Sequence, residues 1–136
     1  MDAEKPQEYS VGEVAKMHGI TVRTLHHWEQ KGLITPEHDP VNGYRYYHDR
    51  DVEKVTAILG YRAIGMSLDT VRTIMNEGAR NSVEHLLTQR EMLHKKIRCY
   101  KHMLQTLDQL LEDAMALPQP KVLNFASTIT SFSTLI

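Results

Sequence analysis

A single cysteine, Cys99, in 136 residues leaves the chain without any internal disulfide, which fits a reducing compartment. No apolar run reaches the ~18 residues of a membrane span, and Met1 to Glu8 is too acidic and polar to read as an export signal. The chain is therefore expected in the cytoplasm, with no membrane partner. A glycine-rich phosphate loop, paired carboxylates in an evident cleft and a Ser/His/Asp set with a nucleophile's context are all missing, so the sequence is not read as an enzyme and no cofactor is expected. A surplus of positive charge is missing too. The net charge is -1, and residues 1 to 70 hold eight Lys/Arg against eleven Asp/Glu. Attraction for a polyanion must then come from a local patch. What is present, 41% apolar residues in this length, supports one compact domain or a small domain plus one long element.

The run from Ser10 to Gln30 carries the densest local signal. Ser10, with Glu13 three residues on, begins a helix as an N-cap and capping-box pair, and Val11, Val14, Ala15 and Met17 are expected to face inward. His18-Gly19 supplies a turn. Thr21 caps a second helix whose buried stripe is Val22, Leu25 and Trp28, and Lys31-Gly32 closes it. Arg23, Thr24, His26, His27 and Gln30 are left outward. Pro36, Pro40 and then Asn42-Gly43 replace helical period with turn chemistry, which predicts a two-stranded hairpin with a type I′ turn. Tyr44 and Tyr46 then share one face of the returning strand and Arg45 takes the other. Two short helices about a tight turn followed by a hairpin form the arrangement that places one helix in a DNA major groove and a wing beside it.

Asp49 is expected to cap a third helix running to about Ile64, with Val52, Val55, Ile58 and Leu59 inward, and Gly65 breaks it. Ser67 caps a fourth helix carrying Leu68, Val71, Ile74 and Met75, ended by Asn76-Glu77-Gly78. Downstream, Val83, Leu86, Arg90, Leu93, Ile97, Tyr100, Leu104, Leu107, Leu111 and Ala114 alternate spacings of three and four, and no proline intervenes before Pro118. That is one long helix over 82–117 whose apolar stripe is too long for the small N-terminal domain to cover. The chain offers no second long amphipathic segment, so the stripe predicts a homodimer paired through Leu86, Leu93, Ile97, Tyr100, Leu104, Leu107 and Leu111.

In Tyr9-Ser10-Val11-Gly12-Glu13-Val14-Ala15, Thr21 to Glu29, Gly32 to Pro36, Asn42-Gly43-Tyr44-Arg45-Tyr46-Tyr47 and Tyr61 to Asp69, the chain resembles the MerR family of transcriptional regulators. Within that family it is most similar to the TipA-like, multidrug-responsive branch. The resemblance covers about residues 8 to 76, and the long helix stands where the family has its antiparallel dimerisation helix. It implies a mainly α fold, in which a winged helix-turn-helix DNA-binding domain over 8–78, with a small β-hairpin wing, precedes a long antiparallel coiled-coil dimerisation helix. The implied partners are promoter DNA, a second copy and RNA polymerase at the promoter, which places the protein at the nucleoid. The implied mechanism is distortion of a long promoter spacer by a dimer bound to a palindrome.

Carried over residue by residue, the resemblance puts base-edge and phosphate contacts at Thr21, Arg23 and Thr24. His26 and His27 replace a common Arg-Tyr pair, one facing phosphate and the other packing or capping. Trp28 stands where many relatives have tyrosine, and its spacing from Leu25 suits core packing equally well. Tyr44 and Arg45 match the wing's backbone and minor-groove contacts. Tyr61 and Arg62 match contacts to flanking phosphates, and Lys16 and Lys31 are lesser candidates. Arg23→Ala and Arg45→Ala are expected to weaken DNA binding without lowering thermal stability.

His94, Cys99 and His102 raise the question of a metal, but Cys99 falls on an outer position of the helix, and a solvated or loosely packed thiol is the better reading; no metal site is assigned. Drug-binding TipA-like members carry a large domain after the long helix. About eighteen residues follow Pro118 here, too few for it, and the effector is left open. In the uncharged tail Val122, Phe125, Ile129, Phe132 and Ile136 keep helical spacing, which favours a short segment (118–136) docked on the dimer. Two other classes share these features: a repressor or architectural protein of the same fold, and a coiled-coil interaction module with a vestigial DNA-binding domain.

Overall fold

A computed structural model describes residues 5–116. The elements run β1 (Tyr9–Ser10), α1 (Val11–His18), α2 (Val22–Gln30), β2 (Glu37–His38), β3 (Arg45–Tyr47), α3 (Asp49–Ala63), α4 (Leu68–Glu77) and α5 (Ala79–Ala116). The fold is mainly helical with one small antiparallel sheet, and the chain divides into two compact units, Met1–Leu86 and Leu87–Ile136.

Capping explains where α1 and α2 begin and end. Ser10 Oγ accepts the Glu13 N–H at 3.1 Å, and Gly19, at φ 65°, returns its own N–H to the Ala15 and Lys16 carbonyls. Val14 and Ala15 are buried, but Met17 faces solvent rather than the core. With ~100° per residue, the buried side centres on positions 11, 14, 15 and 18, and Met17 lies well off it. His18 takes the place in that stripe instead, with Nδ1 on the Val14 carbonyl (2.8 Å) and Nε2 on Thr56 Oγ1 (3.0 Å). In α2, Leu25 and Trp28 are buried while Val22, in the first turn, is exposed. Gly32, at φ 72°, turns the chain so that the N–H groups of Gly32 and Leu33 reach the Glu29 and Trp28 carbonyls.

The wing has three strands, where the sequence pointed to two. β3 lies between β1 and β2, pairing Tyr9 with Tyr47, Ser10 with Tyr46, Glu37 with Tyr46 and His38 with Arg45, all antiparallel. The expected type I′ turn is also replaced. Asp39 N–H meets the Tyr44 carbonyl at 2.7 Å, and among the described residues no non-glycine has positive φ, so Asn42 is not left-handed as type I′ requires. A wider loop forms because side chains bond to its backbone: Asp39 Oδ1 accepts the Val41 and Asn42 N–H groups, and Asn42 Oδ1 accepts that of Tyr44.

His48, not Asp49, is the N-cap of α3, because Asp51 turns back to accept the His48 N–H at 2.9 Å and is itself buried. Val55 and Ile58 enter the core, with Val52 and Leu59 partly buried beside them. Ser67 caps α4 through the Thr70 N–H, Val71 and Ile74 point inward, and Gly78 closes it at φ 81°. Leu33, Ile34, Tyr47 and Met66 complete the core.

The last helix starts at Ala79, three residues sooner than the seam pattern indicates, since Gly78 is the nearest breaker. Its 38 residues span about 57 Å at ~1.5 Å per residue. Leu86, Leu93, Ile97, Tyr100, Leu104, Leu107 and Leu111 are 39 to 62% exposed along it. The apolar tail over 118–136 lies outside the described residues.

Candidate nucleic-acid interface

The N-terminal turn of α2 is fixed by Thr21, whose Oγ1 accepts the Thr24 N–H at 3.1 Å and bonds the Thr24 hydroxyl at 2.9 Å. Arg23 and His27 are exposed, and neither has a hydrogen-bond partner among the described residues. Thr24 is half-buried. His26 departs from the outward placement expected of it: its ring is half-buried, and Nε2 sits against protein with no hydrogen bond. Trp28 belongs to the core. Lys16, in the last turn of α1, and Lys31, at the end of α2, are exposed.

The wing is tied to α2 by one carboxylate. Glu29 Oε2 accepts Arg45 Nε at 2.6 Å, and Oε1 meets His38 Nε2 at 2.5 Å. Burial alone would raise the Glu29 carboxyl, but the hydrogen bonds from His38 and Arg45 and the charges behind them override it and hold the group below the ordinary carboxylate range. Arg45 is thus half-buried and oriented by the helix beside it, with no partner for its Nη groups among the described residues. Tyr47, next along β3, is fully buried, its hydroxyl unbonded. Burial first, then the nearby Glu29 and Asp51 charges against the opposing Arg45, push that phenol up to about 12. Tyr44, before Arg45, is 67% exposed at the edge of the loop.

Tyr61 and Arg62 are used partly by the fold itself. Tyr61 packs against the core, and Arg62 Nη1 donates to the Met66 carbonyl at 2.6 Å, closing the turn from α3 to α4. No hydrogen bond among the described residues joins either to α2 or the wing. Arg72 of α4 has a larger hold on α2, since its Nη1 donates to the Lys31 carbonyl at 3.1 Å while Nη2 holds Asp69. A cation there satisfies an end carbonyl and complements the helix dipole.

Glu29, His38 and Arg72 were not singled out by sequence reasoning. The contacts by which they join separate elements span 9 to 41 residues, so no local spacing announces them. Among the described residues no group of three or more His, Cys, Asp or Glu side chains is placed to hold a metal ion.

A cap-defined helix pair, a three-stranded wing strapped to the second helix and a long terminal helix define a winged helix-turn-helix protein. Residues 9–78 match the MerR HTH family of regulatory proteins, and the chain belongs to that family. It is 38% identical over 104 residues to the HTH-type transcriptional activator TipA of Streptomyces coelicolor, covering 76% of this chain and 41% of TipA. The chain thus spans about two fifths of the length of the curated relatives it matches. Among solved structures, the N-terminal part of the Bacillus subtilis multidrug transporter activator, MtaN, superposes with a TM-score of 0.70 at 35% identity, over 76% of this chain and 97% of that one. EcmrR, in a DNA complex within EcmrR-RPo, gives 0.69 at 26% identity, over 79% and 40%.

Proposed function

We propose that this protein binds a palindromic promoter element as a homodimer, paired antiparallel through α5, and activates transcription by distorting the promoter spacer. The observation that carries the reading is the cross-strap from Glu29 to Arg45 and His38, which makes α2 and the wing a single preset surface. On that surface Thr21, Arg23, Thr24 and His27 meet base edges and phosphates in the major groove, Tyr44 and Arg45 reach the adjacent backbone and minor groove, and Lys16, His26, Tyr61 and Arg62 extend the contact outward. Arg23, exposed and unengaged, suits guanine or phosphate.

Pairing supplies the second reader. The seam of Leu86, Leu93, Ile97, Tyr100, Leu104, Leu107 and Leu111 is apolar and exposed, and a second copy covers it at no cost in new sequence. Deforming a duplex costs on the order of 1 to 10 kcal/mol, which contacts at both ends of a short palindrome offset only on the bent DNA. A promoter so reshaped brings RNA polymerase as the third partner, in the cytoplasm at the nucleoid. The family match and the relatives named as activators support this reading.

Selection of bound sequences from random duplexes, followed by transcription in vitro, tests it. A palindrome inside a long spacer, with transcript rising on addition of protein, is expected. Falling transcript on the same operator indicates a repressor, and absence of binding at moderate salt indicates a coiled-coil interaction module.

A further inference from the structure

The edge strand β2 is held by two histidine–glutamate pairs that leave it in opposite directions. Successive side chains of a strand alternate in face, and Glu37 and His38 are successive. His38 meets Glu29 of α2 at 2.5 Å, and Glu37 meets Nε2 of His48, the N-cap of α3, at 2.9 Å. One member of each pair is sheltered: the side chains of Glu29 and His48 are 19% and 18% exposed. The backbone attachment of β2 is short, two residue pairs with β3, so these side chains carry a large share of its hold.

Imidazole is the side chain whose charge changes between about pH 5 and 8. With the ring protonated each contact is an ion pair and a hydrogen bond; with the ring neutral only the hydrogen bond to a carboxylate remains. Other charged and titratable groups surround the pairs. Arg45 and the buried Tyr47 face Glu29, and Asp39 follows His38; Asp51 accepts the His48 backbone N–H, with Asp49 and Arg50 next in line and Tyr9 bonded to Asp49. Arg45 keeps Glu29 charged, so loss of the His38 proton loosens β2 rather than the Glu29–Arg45 bond.

We propose that β2 is a strap, operated by the protons of its two imidazole partners, that sets the wing against α2, so that affinity for DNA falls as pH rises from about 5 to 8. The consequence for DNA rests on the function proposed above; the strap itself does not. The test uses the full chain and its selected operator duplex at about pH 6 and about pH 8. Amide exchange of the β2–β3 residues is measured without DNA and corrected for the intrinsic pH dependence of exchange, and affinity is measured on the duplex. At the higher pH the corrected exchange is expected to rise, and affinity to fall, about three- to tenfold. In the double variant His38→Gln, His48→Gln, whose amides keep a donor near each Nε2 position, exchange should become flat and the affinity slope smaller. Flat corrected exchange in the unaltered protein overturns the strap, as does an exchange slope that survives in the double variant. An exchange slope with equal pH dependence of affinity in both proteins overturns its role in binding. The expected exchange slope with no DNA bound at either pH upholds the strap and removes the proposed function instead.

Discussion

Val14, Leu25, Ile34, Val55, Ile58 and Val71 in the unit Met1–Leu86 are fully buried, whereas Leu93, Ile97, Leu104, Leu107 and Leu111 in the unit Leu87–Ile136 are 39 to 58% exposed. The same residue types serve opposite ends. The first unit closes its own core and joins separate elements by charge, as Glu29 does with Arg45. In the second, the described residues form one helix, and the bonds from Arg98 to Glu91 and from Gln109 to Asp113 run along its length. A helix is stabilised chiefly by what covers its apolar face; the first unit covers its own, and the exposed stripe of the second is where the proposed second copy would sit.

Leu25→Ala should break the first unit hardest. Emptying a fully buried site costs about 2–5 kcal/mol, read as a lower melting temperature with the particle mass unchanged; loss of the dimer without loss of melting temperature would erase the contrast. Leu104→Glu should do the reverse, placing a charge in the proposed seam and weakening association about a hundredfold, roughly 3 kcal/mol. Light scattering reads it, and an unaltered dimer mass would show that the seam is misplaced. Arg23→Ala and Arg45→Ala should each weaken DNA binding by about 1–3 kcal/mol, measured on the selected operator. They separate on stability. Arg23 has no hydrogen-bond or ion-pair partner among the described residues, while removing Arg45 strips the sheltered Glu29 of a charged hydrogen bond and should lower stability by about 1–2 kcal/mol, so only Arg23→Ala is expected to spare the melting temperature.

The smallest effect concerns acid. Because the folded Glu29 carboxyl is held below its ordinary 4.5, its contribution to stability is fully present above that value and is lost as pH falls through the lower folded one. Glu29→Gln should therefore flatten that part of the acid limb in urea melts; an identical limb in both proteins would show that Glu29 is not the group responsible.

The caps were legible because their chemistry is local. Ser10, Thr21 and Ser67 each accept an N–H three residues on, and Gly19 and Gly78 close helices where the pattern ends. The apolar stripe of α5 was legible as periodicity, as was Leu25 with Trp28. Pairings across distance were not. Tyr9 and Ser10 look like the approach to a helix, and only their partners Tyr47 and Tyr46, more than thirty positions on, make them a strand. Glu29 reads as one more polar residue on an amphipathic helix until His38 and Arg45 arrive. Asn42-Gly43 misled for a related reason: Asp39, just before the loop, captured the backbone first.

Ser10 pairs with Tyr46 in the sheet and, in the same residue, accepts the amide that opens α1. The chain therefore has no slack at this joint. One added amino acid between Ser10 and Val11 must either strip the helix of its starting hydroxyl or slide the strand by one step, which turns Tyr9 to the opposite side and away from Asp49. Length at this point is as strictly set as residue identity, and a duplication there would be felt at both α1 and the sheet.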